Sequence, residues 1–174
     1  MNKIRRTLPL LALPLAAIAA ACTTPAAANT PAHELRDLLD RHQITTLVDR
    51  LGRTLDEGRF DDLRAIYTSD ATAKTPGGTA DGRDALIAQA SRNHTDDKRI
   101  QHFISNVIID LRGDAADIRA NLIATFAPAA TNGTIPQPQY TLGEIYRFAA
   151  VRTAEGWRLS RVETTPIWST GTRP

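Results

Sequence analysis

Two hydrophobic rhythms divide the chain after residue 33. Leu35, Leu38, Leu39, Leu47, Val48, Leu51 and Leu55 recur at spacings of three, four and their sums, which is the repeat of one face of an α-helix. One long amphipathic helix is therefore predicted from near His33 to the turn before Gly58, with that glycine as its C-terminal cap. A short second helix is predicted over 61–67, with Asp61 as N-cap and Leu63 and Ile66 apolar. A third is predicted over 84–92, with Leu86 and Ile87 as its apolar contacts. Between these two, 71–75 reads as a short strand before the Pro76-Gly77-Gly78 turn.

From Ile100 onward the period becomes two, and β-branched residues alternate between turn signals at Arg112-Gly113-Asp114 and Ala154-Glu155-Gly156. Strands are predicted near 101–111, 115–127, 139–153 and 157–168, with 128–138 as a longer loop. Helices followed by a meander of strands predict an α+β layer fold, the helices lying across one face of a curved sheet.

The segment before His33 has a different character. Lys3, Arg5 and Arg6 precede an apolar run over 8–21 that is too short to span a bilayer, so 1–21 reads as a signal peptide. The run ends Ala19-Ala20-Ala21-Cys22, which resembles a lipobox, while Ala26-Ala27-Ala28 offers an ordinary cleavage site. The first site makes the protein an exported lipoprotein anchored through Cys22, and the second makes it a secreted protein. Residues 22–32 then form a linker of Thr, Pro, Ala and Asn, and 33–174 form the domain.

Removing the leader changes the charge. From Cys22 onward 18 Lys and Arg face 19 Asp and Glu, so the basic footprint of a nucleic-acid-binding protein is absent. Cys22 is the only cysteine, which leaves no disulfide to form. His33, His42 and His94 have no metal-like spacing with one another or with His102, and Pro76-Gly77-Gly78 lacks the lysine of a phosphate loop. Neither a metal nor a nucleotide cofactor is predicted.

Particular stretches carry a family resemblance. They are Leu55-Asp56-Glu57-Gly58-Arg59-Phe60-Asp61-Asp62-Leu63, then Gln101-His102-Phe103-Ile104-Ser105-Asn106-Val107-Ile108-Ile109-Asp110 with Gly113-Asp114-Ala115-Ala116 behind it. Gly156-Trp157-Arg158-Leu159 and Pro166-Ile167-Trp168-Ser169-Thr170-Gly171 close the series. In this order they resemble the SnoaL-like branch of the nuclear transport factor two-like superfamily over nearly all of 34–171. The resemblance implies a cone-shaped α+β fold with about three N-terminal helices on a curved, mainly antiparallel sheet. It also implies a cavity for a small hydrophobic ligand, no cofactor, and a homodimer formed through the outer sheet face.

Scytalone dehydratase, ketosteroid isomerase and polyketide cyclases are relatives in that superfamily. The similarity to the dehydratase at Asp56 and at Gln101-His102-Phe103-Ile104 implies a catalytic pair in which Asp56 orients His102. The position of the dehydratase's second histidine falls at Ala120. Cyclases and isomerases use a carboxylate as base, which would give that role to Asp56 alone.

The residues themselves fit such chemistry. Imidazole exchanges protons near neutral pH, and a carboxylate on its other nitrogen fixes the tautomer. An acid at the C-terminal end of a helix opposes the helix dipole, which argues that Asp56 serves something other than helix stability. Strict alternation would put His102 on one strand face with Ile104, Asn106 and Ile108, so that His102 and Asn106 line one cavity. Asn106, Tyr67, Ile104, Ala120 and Trp168 are the candidate ligand contacts, and burial is expected of both Trp157 and Trp168. Two functions stand at this point: a module that binds a small hydrophobic molecule, and a cofactor-free dehydratase, isomerase or cyclase using Asp56 and His102.

Overall fold

The computed structural model describes residues 31–92 and 94–173. The predicted leader, Cys22 and nearly all of the linker lie outside the described residues.

The first helix, α1, runs Pro31–Asp56, starting two residues before its predicted start with a proline, whose fixed φ suits a first helical turn. Its buried positions are Asp40, Ile44, Leu47, Val48, Leu51, Gly52 and Thr54, and they pack it against the sheet. The N-terminal part of the predicted apolar stripe is different. Leu35, Leu38 and Leu39 are all more than half exposed, because no described element covers the first turns of the helix.

Gly58 ends α1 as expected. It adopts φ 66°, its N–H bonds to Leu55 O at 3.4 Å, and the N–H of Arg59 reaches Thr54 O at 3.0 Å. This pair of reversed bonds closes the open carbonyls of the last turn.

The expected second helix is a 3-10 helix, Phe60–Ala65, without a side-chain cap, so Asp61 is not an N-cap. Tyr67 belongs instead to the first strand, β1 (Tyr67–Thr75), which is longer than the predicted 71–75. Across the Pro76-Gly77 turn it pairs with β2 (Gly78–Asp81). The sequence pattern misses β2, since four residues of Gly, Thr, Ala and Asp carry no hydrophobic alternation. The helix α2 follows as Arg83–Ser91.

The remaining strands are β3 (Lys98–Arg112), β4 (Ala115–Pro128), β5 (Tyr140–Thr153) and β6 (Gly156–Gly171). They form a single six-stranded sheet in the order β2-β1-β6-β5-β4-β3. All neighbours are antiparallel except β1 and β6. The inner face and the helices enclose a core in which Ile44, Val48, Leu51, Leu63, Ile66, Leu122, Phe148 and Leu159 are fully buried.

Asp40 is one of the polar groups buried in that core. Asp40 accepts hydrogen bonds from Arg152 and from Trp157 Nε1 (3.1 Å), and Arg152 lies 4.6 Å over the Trp157 ring and bonds Asp114 at 2.8 Å. The cluster ties α1 to the β5–β6 end of the sheet. Arg152 holds the Asp40 carboxyl below the ordinary aspartate value despite burial. Trp157 is thus buried as expected.

Candidate active site

The predicted pair meets where α1 ends against the free edge of β3. As the last strand of the sheet, β3 has no strand beyond it to take its outward backbone groups, and α1 supplies partners for some of them. Arg41 Nη1 donates to Ile109 O at 2.6 Å. Asp56 Oδ1 accepts the His102 backbone N–H at 2.9 Å and lies 2.7 Å from His102 Nδ1. Because Gly58 stops the helix two residues later, Asp56 stays on the last turn, where its carboxylate reaches the strand.

The His102 side chain is 12% exposed and that of Asp56 24%. With Nδ1–H donating to the Asp56 carboxylate, the neutral ring presents Nε2 to the cavity as an acceptor. His102 lines a cavity of about 420 Å³ between the helices and the inner sheet face, and Asp56 stands behind it.

The cavity wall is mainly apolar. Leu51, Leu55 and Leu63 come from the helical layer, Leu86 from α2, and Ile100, Phe126, Leu142 and Val162 from the sheet. Among its polar groups, Tyr67, Tyr146, Glu144 and Thr164 join His102 on the wall. Burial pushes the hydroxyls of Tyr67 and Tyr146 far above the ordinary tyrosine value of 10, helped at Tyr146 by Glu144 and Asp56. Both phenols stay neutral donors.

The other predicted ligand contacts divide. Tyr67 lines the cavity; Ile104, Asn106, Ala120 and Trp168 are absent from its wall. Asn106 is exposed with φ 54°, at a register shift between Ser105 and Ile108. This β-bulge inserts a residue and inverts the alternation. Ile100, His102 and Ile104 face inward before it, as do Val107, Ile109 and Leu111 after it.

Ile104 packs on Gly52, where a Cβ would approach its Cδ1 to 3.2 Å. Ala120 is fully buried in the core. Trp168 corrects the expectation of burial. It is 48% exposed and lies on the outer face over Gly143, whose absent Cβ would stand 2.2 Å from its Cε2.

Glu144 went unrecognised in the sequence. It is 8% exposed, and its Oε1 has no hydrogen-bond partner; neither has Oγ1 of Thr164. Burial pushes the carboxyl above the ordinary glutamate value of 4.5. A signal was present. Leu142, Glu144, Tyr146, Phe148 and Ala150 are alternate residues of a strand, so an acid there points inward with the apolar set.

Comparison with known proteins follows this geometry. A family model described as a SnoaL-like domain matches residues 36–163. The chain is 32% identical over 131 residues to the uncharacterized protein Rv2910c of Mycobacterium tuberculosis, covering 74% of this chain and 86% of that protein. Among solved structures, a nuclear transport factor two-like protein with a cystatin-like fold from Novosphingobium aromaticivorans is 28% identical. It aligns with a TM-score of 0.66 over 78% of this chain and 87% of its own. A candidate scytalone dehydratase from the same organism (21% identity, TM-score 0.68, 81% and 93% coverage) shares the fold. So does a hexachlorocyclohexane dehydrochlorinase, LinA type 2 (17% identity, TM-score 0.68, 80% and 93% coverage). The cone of helices on a curved sheet, the order of its strands and the match across most of the domain lead to one assignment: the chain belongs to the SnoaL-like domain family of the nuclear transport factor two-like superfamily.

Proposed function

We propose that this protein is a cofactor-free lyase or isomerase that moves a proton next to the carbonyl group of a small hydrophobic substrate. The observation that carries the reading is the 2.7 Å contact between Asp56 Oδ1 and His102 Nδ1 at the wall of an apolar cavity. In this reading Nε2 removes the proton, Asp56 stabilises the imidazolium that results, and a buried tyrosine hydroxyl steadies the enolate oxygen. Beyond pairing the free backbone N–H of β3, the same carboxylate oxygen sets the ring orientation, which is what a base in the cavity requires. The solved neighbours described as a scytalone dehydratase candidate and a dehydrochlorinase, both eliminating enzymes by name, point the same way.

The test is deuterium exchange from heavy water into the carbon next to the carbonyl of simple ketones, followed by proton NMR. Exchange that disappears in both His102→Gln and Asp56→Asn supports proton transfer. Saturable ketone binding without exchange would instead make the protein a binding module.

The reading of the leader joins this proposal. The mature protein acts at the cell envelope, exported and anchored through lipidated Cys22, with the Thr- and Pro-containing linker holding the domain off the membrane. Its partner is a second copy across the outer sheet face. There the strand register aligns Phe103, Ile123, Gly143 and Trp168 in one row, and the three large side chains are exposed. Sedimentation of the wild type against Ile123→Asp tests the dimer; two monomers of equal mass would end that assignment.

A further inference from the structure

The first two turns of α1 carry an apolar strip on the side of the helix that faces away from the core. At about 100° per residue, the buried positions of α1 centre about 170° round the axis from Leu35. Pro31, Ala32, Leu35, Leu38 and Leu39 all fall within about 60° of that leucine, and all five are exposed. The three leucines show 57%, 65% and 52% of their surface. The first polar residue on the strip is His42, and Arg36 and Glu34 flank it on either side.

Leucines that point away from the sheet add nothing to the packing of the core. Contiguous exposed apolar surface marks a contact with another protein or with lipid, and the extent of the strip argues against a protein. A stable protein interface takes roughly 800 Å² and about 20–30 residues from each partner, far more than five positions on two turns of helix. The dimer proposed above also leaves the strip uncovered, because it uses the outer face of the sheet whereas α1 packs on the inner one.

The length of chain before α1 argues for lipid. Eight residues, 23–30, stand between Cys22 and Pro31, so the segment spans about 30 Å even when fully extended. With Cys22 in the lipid, the linker that keeps the body of the domain off the membrane also holds the start of α1 close to its surface. Tethering raises the effective concentration of the strip there, so a contact too weak to hold a free protein suffices for an anchored one. An amphipathic helix at such a surface lies with its apolar side in the boundary between headgroups and acyl chains, and a flanking side chain such as Arg36 keeps its charge among the headgroups.

We propose that the start of α1 is a second membrane contact, in which Leu35, Leu38 and Leu39 enter the lipid surface to which Cys22 tethers the chain. This rests on the anchoring reading above and extends it from a tether to a docked domain of fixed orientation. Asp56 stands at the other end of the same helix, about 25 Å along its axis from Leu39, so the catalytic pair is remote from the contact.

The experiment uses the full chain purified from membranes and reconstituted into vesicles of phosphatidylethanolamine and phosphatidylglycerol, with mass spectrometry to establish the lipid on Cys22. A nitrobenzoxadiazole label on Leu38→Cys is expected to shift its emission to the blue and to be quenched by nitroxide-bearing lipid, in low and high salt alike. The same label on Gln137→Cys, in the exposed loop beyond the far end of β4, is expected to emit as in water. Adding Leu35→Ser and Leu39→Ser to Leu38→Cys is expected to abolish the shift and leave Tm unchanged. If labelled Leu38→Cys emits as in water while the lipidated protein stays on the vesicles, the strip proposal is overturned and the anchor stands. Disulfide-linked pairs of unlabelled Leu38→Cys on the vesicles would overturn it too, giving the strip to a second copy. If Cys22 carries no lipid, the anchoring reading and this one fall together.

Discussion

One carboxylate oxygen of Asp56 takes both the backbone N–H and the ring Nδ1 of His102, at 2.9 and 2.7 Å. The double contact fixes the position of the strand and the orientation of the ring at once. A ring held only through its side chain would keep rotational freedom about χ1 and χ2, and Nε2 would not be aimed at a single point in the cavity.

Replacing that carboxylate tests the orientation. Asp56→Asn is expected to mix the two neutral tautomers of His102, because the amide offers both a donor and an acceptor to Nδ1. Nitrogen-15 chemical shifts of the ring report the tautomer directly. The exchange rate is expected to fall about 100-fold. An unchanged tautomer with full activity would mean that Asp56 only holds the strand.

The raised carboxyl of Glu144 makes stability depend on pH. Its folded value lies above the ordinary 4.5 because of burial, so the folded state holds this proton more tightly than the unfolded chain. The associated stability is complete below the unfolded value and is lost as pH rises through the folded one. Glu144→Gln is therefore expected to raise Tm relative to the wild type at about pH 8 and to leave it nearly unchanged at about pH 4. Parallel Tm curves over that range would contradict a buried acid.

Asp40 behaves in the opposite sense. Arg152 lowers its carboxyl below 3.8, so its contribution is present above that value and is lost as pH falls through the folded one. Asp40→Ala leaves the Trp157 N–H unpaired and Arg152 without its buried partner, at an expected cost of about 3 kcal/mol. Trp157→Phe removes one neutral donor and is expected to cost about 1 kcal/mol through the hydrogen bond, with the lost ring contact in addition. Urea denaturation of the two variants measures the difference.

Gly58 is constrained twice. A side chain there meets a φ of 66° and places its Cβ 2.4 Å from His94 Nε2. Gly58→Ala is expected to cost about 1–2 kcal/mol for the backbone alone and to displace His94 from Phe60, on which its ring packs edge-on at 5.3 Å. Adding His94→Ala is expected to recover only the steric part. Full recovery in the double variant would show that the backbone conformation carries no strain.

Anchoring has its own readout. Cells given labelled palmitate are expected to transfer it to the wild type and not to Cys22→Ser, and the wild type is expected to fractionate with membranes. A soluble, unlabelled wild type would move cleavage to the Ala26-Ala27-Ala28 site.

The sequence by itself determined what depends on neighbours along the chain. The 3.6-residue repeat and Gly58 set the extent of α1. The period of two marked all four long strands to within three residues, and the resemblance carried by the quoted stretches singled out Asp56 and His102. Tertiary structure decided which faces meet. Leu35, Leu38 and Leu39 keep the helical repeat yet find nothing opposite them, since burial is a property of the partner as much as of the residue. A single bulge turned Asn106 outward, and no alternation rule anticipates an inserted residue. Asp56 and His102, 46 positions apart, touch because the edge of β3 lies beside the end of α1. Glu144 became an acid in an apolar cavity only once helices closed over the inner face of its strand, because the energy of a charge is set by the water taken away from it.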